Sequence, residues 1–557
     1  MHQIFRLDEI FEAICWFVKY ESDGGKTLAA LTRTCRTFEN VALAALWESQ
    51  DSLVPLARCL GAAIQETWKS NENIKPTNIL VRSDMISTFR SESVNLYLAA
   101  QCTERLPTLS EWKREHKHAL FIKTFVSSQN PSILDHSIDT TVFIALFAHG
   151  SMPFFPNLQE FQWPLRGISD GDIPFITRFL GPKLEKITLN MPNNYKLDML
   201  TLDHLLTIHA LKEMSLKGEA GLGSLLSIRE LITRSVQLRA FTCTIPLDLT
   251  HVRILATLRS LHRLSVIMPP MVDESFETSV GCDDPFPVLQ TLTLAVSNLA
   301  GALHFIQLCP FTHVAQFELE IQENSLPDSP RYLEALGTLM VKQFSSKALQ
   351  AFRLTSECGS GLPWDTTKAI RASTLRPFLS FRNLAMFHLD ANWCYDLHNS
   401  FIEEAAKAWP SLRYIFLDPW GSWPVPRDRR LTLACFLPLV QHCPRIRNFA
   451  GLFEGCVPYI SDTTRPGNGH EAEFVRDIFV GHSVSDIEAV ALFLSDLFPH
   501  LEQIRSLSEA DDTHARWEEV TKKVKEYTLV RSQMKAWYKE KDATAGPKKR
   551  ESQADTV

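Results

Sequence analysis

The chain has 557 residues, 45% of them hydrophobic and 22% charged, and its 57 Lys+Arg against 64 Asp+Glu leave a formal charge of −7. With 34 Phe and 12 Trp it is too rich in core-forming residues for wholesale disorder. So mild a charge gives no general pull toward nucleic acid or an anionic membrane, and neither is expected as a partner.

Twelve cysteines are too sparse for a disulfide scaffold, and none forms a C-x-x-C pair. A reducing, intracellular setting is expected, cytoplasmic and/or nuclear. Asp8, Glu9 and Glu12 interrupt the apolar N-terminal stretch, so no signal-peptide core is expected there. No window approaches about 18 uninterrupted apolar residues, so no membrane-spanning helix is expected.

Residues 1–60 form the first predicted module. IFRLDEIFEAICWFV reads as a helix with Leu7, Ile10, Phe11 and Ile14 on one face, at steps i, i+3, i+4, i+7. ESDGG (21–25) contains a Gly pair that stops it. KTLAALTRTCRTFENVALAALW then carries Leu28, Leu31, Cys35, Phe38, Ala42 and Leu46-Trp47 at mostly three- or four-residue steps. Helices of this size hold little core of their own and need a partner. Residues 61–150 read as a helical linker with a degenerate first repeat, Ile122-Phe125 in FIKTFVSS.

From 151 to 507 a short pattern recurs, L-x-x-h-x-h with h apolar. It runs through Leu158-Phe161-Trp163, Leu184-Ile187-Leu189, Leu211-Met214-Leu216, Leu238-Phe241-Cys243, Leu261-Leu264-Val266 and Leu289-Leu292-Leu294. Val314-Phe317-Leu319, Leu349-Phe352-Leu354, Leu384-Phe387-Leu389 and Leu412-Ile415-Leu417 follow, with Ile446-Phe449-Gly451 and Leu501-Ile504-Ser506 as weaker closing copies. The leading positions lie 26, 27, 27, 23, 28, 25, 35, 35, 28, 34 and 55 residues apart, the longer gaps marking inserted loops or a missed unit. Most of these spacings match a leucine-rich repeat of about 20–29 residues. The pattern places alternate side chains of a short strand on one face, which only stacked neighbours can cover.

Between the strands, residues 225–236, 300–309, 331–344, 401–409 and 486–498 carry apolar residues at helical spacing. Pro156, Pro182, Pro287, Pro410, Pro444 and Pro499 each stand two residues before a leading aliphatic position and end the preceding helix. The expected class is therefore α/β, a solenoid of parallel strands with convex-side helices, preceded by a small all-α module. The outward positions inside the strands are Gln162, Thr188, Ser215, Thr242, Thr293, Glu318, Arg353, His388 and Phe416, the expected binding row of such a solenoid. Trp420 and Trp423 in the loop DPWGSWPVPRDRR (418–430) are either further binding residues or a cap over that row. Residues 508–541 are charged, with Trp517, Val520, Val524, Tyr527 and Val530 at helical steps, and read as a terminal amphipathic helix; 542–557 reads as a disordered tail.

Catalytic constellations are sparse. There is no G-x-x-x-x-G-K-[ST] or G-x-G-x-x-G cradle, and Gly481-His482-Ser483-Val484-Ser485 lacks the last Gly of a nucleophile elbow. His116 and His118, two residues apart, share no helical face and make poor joint zinc ligands. Glu403-Glu404 reads as a solvated helix face. No enzyme activity, cofactor or metal is expected.

The segment from Leu7 to Trp47 resembles an F-box. Leu28, Leu31, Thr34-Cys35-Arg36, Phe38 and Leu46-Trp47 match its positions, while Leu7-Asp8 stands where the usual Leu-Pro would be. To about residue 500 the chain is similar to the large F-box/leucine-rich-repeat family of mushroom-forming fungi. LWESQDSLVPLARCL after the F-box, LDANWCYDLHNSFIEEAAKAWPSL, RRLTLACFLPLVQHCPRI and IFVGHSVSDIEAVALFLSDLFPHL are the segments most like it. The resemblance implies a substrate receptor whose F-box docks on a Skp-type adaptor of an SCF-type cullin–RING ubiquitin ligase while the repeats hold a protein substrate. Carried over by position, the adaptor contact comprises Leu7, Ile10, Phe11, Ile14, Leu28, Leu31, Phe38 and Trp47, although the same residues could instead form the module's own core. The alternative is a repeat scaffold that binds protein without engaging a ligase.

Overall fold

In the computed structural model the h-x-h part of each L-x-x-h-x-h segment falls on a β-strand among the described residues, and in many copies the leading residue closes a tight turn. Leu158 N–H donates to the Phe155 carbonyl (3.1 Å), Leu184 to Gly181 (3.2 Å), Leu412 to Trp409 (3.0 Å) and Ile446 to Cys443 (3.0 Å). In these turns Pro156, Pro182, Pro410 and Pro444 occupy the second position, where a fixed φ near −65° is already the required angle. Proline therefore sets the turn into the strand as well as ending the helix before it.

The structure describes residues 8–544 except 60–63, 66–101, 104–106, 127–145, 151–152, 163–175, 192–204, 206–207, 219–221, 271–283, 323–329, 357–368, 418–430, 459–464, 482–483, 507–511 and a few isolated positions. The fold is α/β, in two units, 1–266 and 267–557. The first unit opens with helices α1 (Asp8–Lys19), α2 (Gly24–Leu31) and α3 (Arg36–Trp47). It continues with parallel strands β1 (Ser49–Gln50), β2 (Thr124–Val126), β3 (Glu160–Gln162), β4 (Lys186–Met191), β5 (Glu213–Gly218), β6 (Ala240–Cys243) and β7 (Arg263–Ile267). In the second unit the parallel strands are β8 (Thr291–Val296), β9 (Gln316–Ile321), β10 (Ala351–Ser356), β11 (Met386–Asp390), β12 (Tyr414–Leu417), β13 (Asn448–Gly451), β14 (Asp477–Val480) and β15 (Gln503–Ser506).

Two strands of the large parallel stack are additions to the sequence reading. β14 supplies a repeat built on Val475, Ile478 and Val480, all buried, which divides the 55-residue gap into steps of 29 and 26. β1 follows α3 after the single residue Glu48, so the stack begins inside the segment expected to be a separate module. The second helical stretch is also broken in two at Cys35, whose extended backbone caps α3. The Gly24-Gly25 pair opens α2 rather than ending α1. A Cβ on Gly24 would lie 2.0 Å from the Val18 carbonyl oxygen, so no other residue fits where the two helices meet.

Each unit buries the h-x-h side chains against its helices. In the second unit they join rings from the preceding turns and helix ends in a ladder: Phe286–Phe311 (5.7 Å), Phe311–Phe344 (5.2 Å), Phe344–Phe317 (5.1 Å), Phe317–Phe352 (5.8 Å), Phe352–Phe378 (5.0 Å), Phe378–Phe387 (5.7 Å) and Phe387–Trp409 (4.8 Å). Offset and edge contacts of this kind stabilise beyond the area they bury. Helices begin where a side chain can serve the free N–H groups: Asp248 accepts from Thr250 and His251, Asn298 from Gly301, and Asp486 from Ala489. Buried thiols behave as small hydrophobes, and burial pushes Cys243 and Cys443 up to about 12. The terminal helix runs from Asp512 to Thr544, past the expected end at 541, and packs Trp517, Val520 and Val524 onto the Ile487–Leu497 helix and β15. No helix among the described residues is long and apolar enough to cross a membrane.

Candidate functional site

Both α1 and the strands present side chains on the side turned away from the packed core. The first surface is on α1. Phe11 and Cys15 turn inward and join Leu28, Ala42 and Ala45, with Val18, Leu31, Phe38, Val41 and Leu46 partly buried around them. The Phe11 and Phe38 rings stack at 4.2 Å. On the opposite side of the same helix Ile10, Trp16 and Phe17 are exposed, as is Tyr20 just beyond its end, with Phe17 77% accessible. Trp16 and Tyr20 make an edge contact at 4.9 Å. Four large apolar groups uncovered on one short element form a patch of the kind that marks an interaction site.

The predicted adaptor residues therefore divide. Phe11 and Leu28 are core, and Trp47 is buried against the stack with its ring 4.8 Å from His118. Ile14, Leu31 and Phe38 are half-buried, and Ile10 faces out. Leu7 lies outside the described residues. Sequence reasoning missed Trp16, Phe17 and Tyr20; an aromatic run one step off the predicted apolar face was the available signal.

The junction between α3 and the stack is polar and aromatic. Glu48 bonds Lys19 and Lys123, both at 3.1 Å, and its carbonyl accepts from the N–H groups of Lys123 and Thr124. Burial alone would raise the Glu48 carboxyl, but the two ammonium groups outweigh it and hold it low. Lys117 pairs with Glu39 at 2.9 Å. His116 stacks on Trp112 at 4.4 Å and His118 on Trp47, and the Nδ1 of each is buried without a hydrogen-bond partner among the described residues. Burial lowers both imidazoles; Lys117 lowers His118 further, and Glu39 works the other way.

Protonation of these rings thus favours the unfolded state. Their contribution is fully present above the ordinary imidazole value of about 6.5 and is lost as pH falls through it. Melting temperature should drop between about pH 7 and 5.5, and the double variant His116→Phe, His118→Phe should flatten that slope; an unchanged slope would locate the titration elsewhere. The Glu39 and Glu48 carboxylates, both held low, contribute above about pH 4.3 and are lost only at more acid pH, so the windows separate.

The second surface is the face of the strands opposite the helices. In the first unit Gln162, Thr188, Ser215, Thr242 and Ser265 are successive register partners, a neutral row of hydroxyls and one amide. Beside it runs a ladder of ion pairs, Glu160–Lys186 (2.8 Å), Lys186–Glu213 (4.0 Å) and Glu213–Arg263 (3.4 Å), which neutralises itself. In the second unit the row reads Thr293, Glu318, Arg353, His388, Phe416, Ala450, Phe479 and Arg505.

This second row is charged and aromatic. His388 lies flat on Phe416 (4.1 Å, 1°), with Nε2 3.8 Å from the Asp390 carboxylate, and Arg505 sits 5.2 Å over Phe479. Arg353 is exposed between Glu318 and His388. All nine row residues expected from the sequence fall on this face, most of them half-buried and Thr188 buried. Trp420 and Trp423 lie outside the described residues. Ser265, Ala450, Phe479 and Arg505 extend the row; the same alternation marks Ser265, and the weak Val475 repeat hid Phe479.

No known family model matches the chain, and no curated protein sequence is significantly similar to it. Among the described residues no group of three or more His, Cys, Asp or Glu is placed to hold a metal ion.

Proposed function

We propose that the chain is the non-catalytic substrate-recognition subunit of an SCF-type cullin–RING ubiquitin ligase, an F-box module followed by a leucine-rich-repeat solenoid. The observation that carries this reading is the uncovered Ile10, Trp16, Phe17 and Tyr20 surface on the first helix of a three-helix module joined directly to a parallel strand stack. On this reading Phe11, Leu28, Leu31 and Phe38 hold the module together, and the exposed aromatic residues enter the groove of a Skp-type adaptor. The outward row of the strands then holds a protein substrate. Its chemistry differs between the units: the hydroxyl row suits backbone and small polar groups, and the surroundings of Arg353, His388 and Phe416 suit charged and aromatic side chains. Ubiquitin transfer is performed by other subunits, and this chain contributes proximity and effective concentration.

The test is capture of the intact chain by a purified Skp-type adaptor, with a standard F-box protein as control. The wild-type chain should bind. Phe17→Glu with Tyr20→Glu should weaken binding at least about 100-fold, since central aromatic anchors dominate such interfaces, with circular dichroism and melting temperature unchanged. Failure of the wild-type chain beside a working control would leave the repeat-scaffold alternative. Undiminished binding by the double variant would move the interface off α1.

A further inference from the structure

The terminal helix has two faces with different fates. Lys523 and Tyr527 both bond Glu488, Arg531 bonds Asp496 and Lys535 bonds Glu471, four residues at four-residue steps that tie one face to the body. Leu529, Val530 and Trp537 turn aside from that face, while Met534 and Tyr538 fall on or beside it, and all five are 51–58% exposed. Five large apolar residues within ten positions go beyond the isolated surface hydrophobics that need no explanation.

The exposed segment is complementary to its own reverse. Turned about the midpoint of residues 533 and 534, it sets Val530 opposite Trp537, Leu529 opposite Tyr538, Gln533 opposite Met534 and Glu526 opposite Lys541. Lys535 and Lys539 fall opposite Ser532 and Thr528, so no like charges meet. At 3.6 residues per turn, Glu526, Val530, Gln533, Trp537 and Lys541 share an arc of about 80°. Their steps of four, three, four and four residues are close to those of a helix-pairing seam. A parallel arrangement would oppose Glu526 to Glu526 and Lys541 to Lys541, which is repulsive.

We propose that a second copy of this chain covers this face, the two terminal helices pairing antiparallel about a two-fold axis at residues 533–534. Both copies then use the same patch, as a closed dimer requires. The paired segment, residues 526–541, is about 24 Å long. It buries less than the ~1,600 Å² of a standard interface, so the dissociation constant is expected on the order of micromolar or weaker.

Sedimentation velocity of the full chain from about 1 to 100 μM should show a concentration-dependent monomer–dimer equilibrium. Trp537→Glu should weaken it by at least about tenfold. Glu526→Lys and Lys541→Glu should each weaken it several-fold, because each creates two like-charge pairs in the symmetric dimer. The double variant carrying both restores opposite charges and should return to within about threefold of wild type. A chain that stays monomeric throughout the range, or a double variant no better than the singles, would overturn the proposal. So would a monomeric chain that binds phosphatidylserine vesicles through Trp537, which would give the face to a lipid surface.

Discussion

Replacing Trp409 with alanine should destabilise the second unit by about 4 kcal/mol, within the range of about 3–5 for buried aromatic deletions. The indole is fully buried at the end of the ring ladder, 4.8 Å from Phe387, and its Nε1–H donates to the Phe378 carbonyl at 3.3 Å. Its own backbone carbonyl accepts from the Cys443 thiol at 3.4 Å, which ties it to the next repeat. Truncation therefore opens a cavity between successive repeats and removes one of the two hydrogen bonds to the Phe378 carbonyl, which keeps the Phe381 N–H at 3.1 Å. Whole domains hold only about 5–15 kcal/mol, so the melting temperature should fall by several degrees or more and soluble yield should drop. Trp409→Phe keeps most of the ring and loses the hydrogen bond, and should cost about 1–2 kcal/mol. Equal losses in the two variants would show that the hydrogen bond, and not the packing, dominates.

Asp496→Ala is the second large effect. This carboxylate is 2% exposed and accepts from Arg465 through Nε at 2.8 Å and Nη2 at 2.6 Å, from the Gly467 N–H at 3.1 Å, and from Arg531 of the terminal helix. Removing it leaves a buried N–H unserved and two guanidinium groups facing each other. Breaking a buried ion pair costs about 3–5 kcal/mol, and the lower end applies because Arg465 and Arg531 can still reach water. The helix should loosen from the body before the rest of the unit unfolds. Limited trypsin digestion should then cut between Lys522 and Lys541 at least about tenfold faster than in wild type while the strands survive. Cleavage at the wild-type rate would mean that Trp517, Val520 and Val524 hold the helix without help from the carboxylate.

Much of the strand architecture was legible because each repeat restates it. A leading aliphatic residue, an alternating apolar pair and a proline two residues upstream report the same geometry many times over, and Leu184, Leu289, Leu354 and Leu389 are all buried where the pattern places them. The misses have physical causes. Ser49–Gln50 pairs with β2 through backbone groups alone, so its side chains carry no signal. Gly24 reads as a helix stop unless the approach of Val18 is known. On α1, hydrophobicity does not distinguish Phe11, which packs inward, from Phe17, which faces solvent, because the buried and the uncovered face carry the same kinds of residue. The outward row was legible as a face, and its division into a neutral part and a charged, aromatic part became evident only once the registers joined the repeats.

The passage from α3 into β1 through the single residue Glu48 has a mechanical consequence. Swivelling tethers need several freely rotating residues, and here the one intervening residue has its carbonyl in the ladder and its carboxylate on Lys19 and Lys123. Torque applied to the helices is thus transmitted to the first strands instead of being dissipated in a linker. Anything that grips the outer side of α1 also fixes the direction in which β1 and β2 point. The reach of whatever those strands carry is then set by geometry, as with a lever arm, and lengthening position 48 by a few glycines would convert that arm into a tether.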